Sequence, residues 1–144
     1  GINAITEELY DEAFEIAKQI DNNDNNDETK NKKSSTNGNK KNDHDPAVPP
    51  MIPPLYGVPI SIKDRHSVKG TRTTFGMACR LNQIDHDDCL VVQLLRKAGA
   101  IPLVKANATQ MMLLAETNNR IWGRTKNPWN LQRTSGGSSG GDAA

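Results

Sequence analysis

The 144-residue chain reads as an α/β protein, a sheet covered by helices. Its centre carries a strand, helix, strand succession ending in the apolar run Ile101–Val104. Units of this length build sheets with a helix packed across them. An amphipathic helix precedes the unit, with Leu9, Ala13, Ile16, Ala17 and Ile20 on one face and acidic residues between them. A dense run of glycine and serine, from Thr134 to Gly141, follows it. Such a run is either a flexible linker or a backbone bent to present hydroxyl and N–H groups.

From the N-terminus, Ile2 to Ile5 is β-compatible and Thr6 is the expected N-cap of a helix over Glu7 to Ile20. Glu7, Glu8 and Asp11 suit the positive end of that helix. Between Asp21 and Asp45 Asn, Asp, Lys and Ser dominate and no aliphatic residue interrupts them, so the stretch buries too little surface to offset its ordering entropy. It is expected to be a disordered, dispensable insertion, since lengthening a surface loop costs little. A metal or partner site at His44 with Asp43 and Asp45 is the less economical reading of the same residues. Pro46 to Pro54 returns the chain in extended form.

Tyr56 to Lys63 then reads as a strand, with Val58, Ile60 and Ile62 alternating with Pro59, Ser61 and Lys63. Pro59 implies an edge position or a strand start. Gly70 to Gly76 is rich in turn residues. Asp87 or Asp88 is expected to cap a helix that runs through Lys97, with Arg96 and Lys97 at its negative end and Gly99 stopping it. After the strand at Ile101, Ala108 to Glu116 reads as a second helical piece. Thr117 to Gln132 reads as irregular, with a turn at Asn127–Pro128.

Composition bounds the partners. Net charge is +1, which gives no electrostatic reason to expect nucleic acid or an anionic membrane. Hydrophobic residues make up 35% of the chain, low for a globular domain, and the deficit sits largely in the Asn-rich stretch. Cys79 and Cys89 lack metal-like spacing and read as free thiols, which favours a reducing, intracellular compartment. No apolar run approaches the roughly 20 residues that span a bilayer, and no secretory segment opens the chain. The sequence stops at Ala144, directly after a motif that leads into further structure, so it is expected to be a fragment. Membrane association and oligomeric state of a longer protein stay open.

Lys63 ends an apolar strand, and Ser138 is flanked by glycine and serine. Singly, the first reads as a solvated surface residue and the second as linker. Together they are the two halves of a Ser–Lys base system for acyl chemistry. The surrounding sequence joins them. Gly57-Val-Pro-Ile-Ser-Ile-Lys-Asp64, the passage Asp88 to Lys105, Thr117-Asn-Asn119, Gly123-Arg-Thr-Lys-Asn-Pro-Trp129 and the glycine/serine run resemble the amidase signature family. The likeness is strong over Leu55–Ala144 and weak over Ile2–Asp21, and its flavour is nearest the fatty acid amide hydrolase branch.

The resemblance implies the N-terminal part of an α/β/α sandwich with a mixed central sheet, spanning residues 1–144 with an insertion at 21–45. It implies hydrolysis of carboxylic amides, fatty acid amides among them, by a Ser–Ser–Lys set without metal or organic cofactor. Lys63 would be a buried, neutral base. Ser138, beside a non-proline cis peptide, would pass protons between the nucleophilic serine and Lys63. Gly137 would ease crowding there, and Ser139 would support the loop by hydrogen bonding. Met112 falls at a substrate-contacting position, and equally reads as a buried methionine. The nucleophile and its oxyanion hole would lie beyond Ala144.

Asp142 stands where the family more usually has glutamate, and Ala143 where glycine is common, which bears on loop geometry. Ser61 reads as a polar neighbour of Lys63. His66 and His86 have no spacing that suggests a metal or triad. Two alternatives remain. One is the amidotransferase subunit that releases ammonia from glutamine for charged tRNA, against which the apolar Met111–Leu114 patch leans. The other is a non-catalytic binding or scaffold remnant.

Overall fold

The computed structural model describes residues 1–34 and 52–144, with the backbone alone described at 26–34. The disfavoured metal or partner site at Asp43, His44 and Asp45 lies outside the described residues, as does the later part of the Asn-rich insertion.

Three strands form a mixed sheet in the order β1, β3, β2. They are β1 (Ile5–Glu8), β2 (Pro59–Lys63) and β3 (Ile101–Ala106). Strand β3 lies antiparallel to β1, with Glu8 opposite Val104, and parallel to β2, with Pro59 opposite Ile101 and Lys63 opposite Ala106. Pro59 begins an edge strand, where its missing N–H costs no ladder bond. The parallel pair is joined by α2 (Leu90–Lys97), and this strand, helix, strand unit is the one the apolar pattern predicts. Ile62, Val68 and Val92 form the buried apolar cluster, with Leu9, Ile60 and Leu95 packed against it. Full burial of one such side chain stabilises by roughly 1.5–3 kcal/mol.

Both ends of α2 are informative. Cys89 is its N-cap and makes no side-chain capping bond, so the expected aspartate cap is absent. Asp88 is engaged elsewhere: it accepts the Lys69 N–H at 2.7 Å and pairs with Arg96 Nε at 2.9 Å. At the other end Gly99 takes φ +92°, and Gly99 and Ala100 donate to the carbonyls of Arg96 and Leu95. That reciprocal pair closes the helix before β3 starts.

Three expected elements differ. Thr6 lies inside β1, and α1 starts at Tyr10, so Thr6 caps nothing; its hydroxyl instead donates to the Lys105 carbonyl at 3.3 Å. Helix α1 spans Tyr10–Ser34 and passes the expected stop at Ile20. The first part of the stretch read as a disordered insertion is therefore helical. Once a helix is nucleated, each added residue gains a hydrogen bond, which carries α1 on through Asn and Asp despite their low helix propensity. The helix expected over Ala108 to Glu116 is a short 3₁₀ turn at Gln110–Met112, with Met111 at φ 51° and Met112 at φ 62°. Left-handed backbone at two successive residues stops an α-helix.

The irregular stretch holds two small antiparallel ribbons. One pairs β4 (Asn118–Asn119) with β5 (Gly123–Arg124), and the other pairs β6 (Lys126–Asn127) with β7 (Asn130–Thr134). The glycine/serine run follows and leads into α3 (Gly140–Ala143), which packs on β2 and β3.

Candidate active site

Lys63 is the last residue of β2, and the strand aims its side chain across the sheet end towards the glycine/serine run. Its Nζ donates to Ser138 Oγ at 2.6 Å, across 75 residues of sequence. The peptide bond between Gly137 and Ser138 is cis.

The run is not a linker. A Cβ on Gly137 would stand 2.7 Å from the Ala115 carbonyl carbon and the Glu116 nitrogen, and one on Gly141 would stand 2.3 Å from the Asn107 nitrogen. Only glycine allows backbones this close. Thr117, fully buried, grips the run at two points. Its N–H donates to the Gly136 carbonyl at 2.8 Å, and its hydroxyl accepts from the Gly140 N–H at 2.7 Å. The Thr109 N–H donates to the Ser138 carbonyl at 3.3 Å.

Asn107, at the end of β3, anchors the whole arrangement. Its side-chain amide donates to the carbonyls of Asn3 and Gly123 and to Thr125 Oγ1, its Oδ1 accepts from Asn119 Nδ2 at 2.8 Å, and its carbonyl accepts from the Gly141 N–H at 3.0 Å. Thr117 belongs to the Thr117-Asn-Asn stretch that resembles the family's approach to its glycine/serine run, but sequence reading assigned it no role and did not single out Asn107.

Lys63 is half-buried rather than enclosed. Burial pushes its pKa below the ordinary lysine value and the Arg65 charge adds to this, while the Asp142 carboxylate works the other way. Among the described residues the fully enclosed lysine is Lys105. Its ammonium lies 3.6 Å from Asp64 Oδ1 and donates to the Arg72 carbonyl at 2.6 Å and to Thr73 Oγ1. Asp64 in turn accepts from the N–H and the hydroxyl of Thr74. Burial lowers Lys105 and raises Asp64, and their mutual attraction opposes both shifts. This buried pair holds the chain segment just after Lys63. The one clue to it in the sequence is a lone charge within the apolar strand Ile101–Ala106.

Ser139 is exposed and makes no capping bond with its hydroxyl; its carbonyl accepts from the Ala143 N–H at 3.2 Å, so its support of the loop runs through the backbone. Met112 is half-buried, and Met111, Leu113 and Leu114 beside it are exposed. Ser61 is more than a neighbour of Lys63: its hydroxyl donates to Asp142 Oδ1 at 2.6 Å. His66 is half-buried with Nδ1 3.9 Å from Cys89 Sγ, and burial lowers its pKa. Among the described residues no group of three or more His, Cys, Asp or Glu is placed to hold a metal ion. Nor is any described helix long and apolar enough to cross a membrane.

A mixed sheet, a lysine at a strand end and a serine after a cis peptide in a packed glycine loop define a Ser–Lys site on an α/β scaffold. The Amidase family profile matches residues 32–144, and the chain belongs to that family. An acetamidase of Aspergillus oryzae is 48% identical over 93 residues, which cover 65% of this chain and 17% of that protein. A fatty-acid amide hydrolase 1 of Sus scrofa is 42% identical over 90 residues, covering 62% of this chain and 16% of its own length. A solved bacterial aryl acylamidase of the amidase signature family has the same fold, with a TM-score of 0.75 and 23% identity over 98% of this chain and 25% of that one. The chain thus spans about a quarter or less of these relatives. The fold is the corresponding part of the amidase signature fold.

Proposed function

We propose that the whole protein hydrolyses carboxylic amides by a Ser–Ser–Lys mechanism in which Lys63 is the base and Ser138 the proton bridge. The observation that carries this reading is the 2.6 Å contact between Lys63 Nζ and Ser138 Oγ, made by two residues far apart in sequence. With Lys63 neutral, the same contact runs the other way, the hydroxyl donating to the amine. As the nucleophilic serine, placed by the family resemblance beyond Ala144, attacks the carbonyl carbon, its proton passes to Ser138 Oγ and the Ser138 proton to Lys63. Collapse of the tetrahedral intermediate returns a proton by the same path to the leaving amine, leaving an acyl-enzyme that water hydrolyses.

Amides with an apolar acyl group are the substrate class this reading favours, with fatty acid amides at its long end. Support comes from Met111, Leu113 and Leu114, exposed on the segment that packs against Gly137, with Met112 half-buried among them. Glutamine, the substrate of the amidotransferase alternative, needs polar groups where this patch is apolar.

The test is amide hydrolysis by the whole protein, with acetamide, an oleoyl amide and glutamine compared in parallel. Lys63→Ala should lower kcat by about 10²–10⁴-fold, the usual worth of a general base. Ser138→Ala should be comparably severe, since it cuts the relay and leaves the base in place. Unchanged rates in Lys63→Ala reject the mechanism, whereas a preference for glutamine rejects the substrate class alone.

A further inference from the structure

Ser61 and Lys63 alternate on one face of β2, and that face meets α3. Asp142, the acidic residue of α3, takes its hydrogen bond from Ser61 Oγ at 2.6 Å rather than from the lysine. Burial and the Arg65 charge lower the Lys63 pKa, and the Asp142 carboxylate, held on the same face by Ser61, works against them. Three residues from two elements thus share one face: a hydroxyl, a carboxylate and the amine that contacts Ser138.

We propose that Asp142 is a positioning carboxylate for Lys63, held off by the Ser61 hydroxyl so that its charge steadies the lysine ammonium without closing into an ion pair. The inference rests on the Ser–Ser–Lys reading. In that mechanism Lys63 is neutral before attack and cationic as the relay completes. A fixed negative charge nearby is worth more to the cation than to the amine, so it favours the state that follows proton transfer. A direct ion pair would go too far, locking the ammonium and leaving no base. Ser61 competes with Lys63 for the carboxylate and prevents that.

The other charged groups near this face are fixed in ways that leave Asp142 as the opposing charge. Arg65 and His66 follow Lys63 in the turn after β2; Arg65 is cationic, and Arg65 and Lys63 both disfavour a proton on His66. On the neighbouring strand Lys105 is committed to Asp64 at 3.6 Å.

The experiment is the pH profile of kcat/KM for amide hydrolysis by the whole protein, as wild type, Asp142→Asn, Asp142→Glu, Ser61→Ala and Lys63→Ala. Loss of the carboxylate makes the ammonium less stable, so Asp142→Asn should move the acid limb to lower pH and slow the plateau about tenfold. Asp142→Glu should restore the limb. Ser61→Ala frees Asp142 to pair with Lys63, so its acid limb should move the opposite way, to higher pH. A purely structural role for either residue would lower rates without opposite shifts. An acid limb that stays put in Asp142→Asn overturns the proposal, as does a shift in the same direction for both substitutions. If Lys63→Ala keeps its turnover, the Ser–Ser–Lys reading itself falls; if Lys63→Ala is inactive and Asp142→Asn leaves the limb unmoved, this inference alone falls.

Discussion

One added methyl group measures how tightly the glycine/serine run is built. At Gly141 a Cβ would stand 2.3 Å from the Asn107 nitrogen and 2.5 Å from the Ala4 carbonyl oxygen, and both are backbone atoms of the sheet region. Neither neighbour is a flexible side chain that could step aside. Gly141→Ala should therefore destabilise the protein by about 1–3 kcal/mol or more, the cost of overpacking a filled site. Urea denaturation of wild type and variant checks it; an unchanged midpoint would mean that the loop is looser than its contacts imply. At this scale the sequence was legible where residues sit inside a recognisable motif. Lys63 and Ser138 are such residues, and they meet as expected. The Ser61–Asp142 bond was not legible, because it joins residues 81 apart and depends on how α3 lands on β2. The burial of Lys105 in place of Lys63 was hidden for the same reason: no local pattern states that Asp64, Thr73 and the Arg72 carbonyl will surround one ammonium.

Among the elements, the strand, helix, strand unit was legible from its period, α1 was found but misplaced at both ends, and the segment after Asn107 was misread. Strand β2, helix α2 and strand β3 follow from apolar spacing with Pro59 and Gly99 as punctuation, and their order gives the parallel pair. The segment after Asn107 has a helical composition, yet Met111 and Met112 take left-handed angles that composition does not disclose. Near the N-terminus, Thr6 suits a cap or a strand equally, and pairing with β3 decides for the strand. The element that holds the site most firmly is β3, through the Lys105–Asp64 pair. Lys105→Met removes one partner and leaves Asp64, 1% exposed, as an uncompensated buried charge. That should cost about 3–5 kcal/mol. Adding Asp64→Leu to Lys105→Met should recover part of the loss, because no unpaired charge then remains. Denaturant unfolding of the two single variants and the double variant forms the cycle. A double variant as unstable as the sum of the singles would mean that the two groups do not interact.

At the scale of the molecule, apolar side chains face outward on the helices that cover the sheet. Phe14 on α1 is 63% exposed, and Leu90 and Leu94 on α2 are 68% and 56% exposed. These are the positions a helix would ordinarily bury against a neighbouring layer. The solved aryl acylamidase, of which this chain matches 25%, builds its fold from far more sequence. Among the described residues the large side chains of the buried apolar cluster are Ile62, Val68 and Val92, a small core. The 144-residue chain by itself is therefore expected to bind an apolar dye such as ANS strongly and to unfold with a broad, weakly cooperative transition. Under the proposed mechanism it should also show no amide turnover, since a relay through Lys63 and Ser138 serves a separate nucleophile. Dye fluorescence, calorimetry and an amide assay on the 144-residue chain make the comparison. A sharp unfolding transition without dye binding would show that the outer faces of α1 and α2 tolerate water and that the small core suffices.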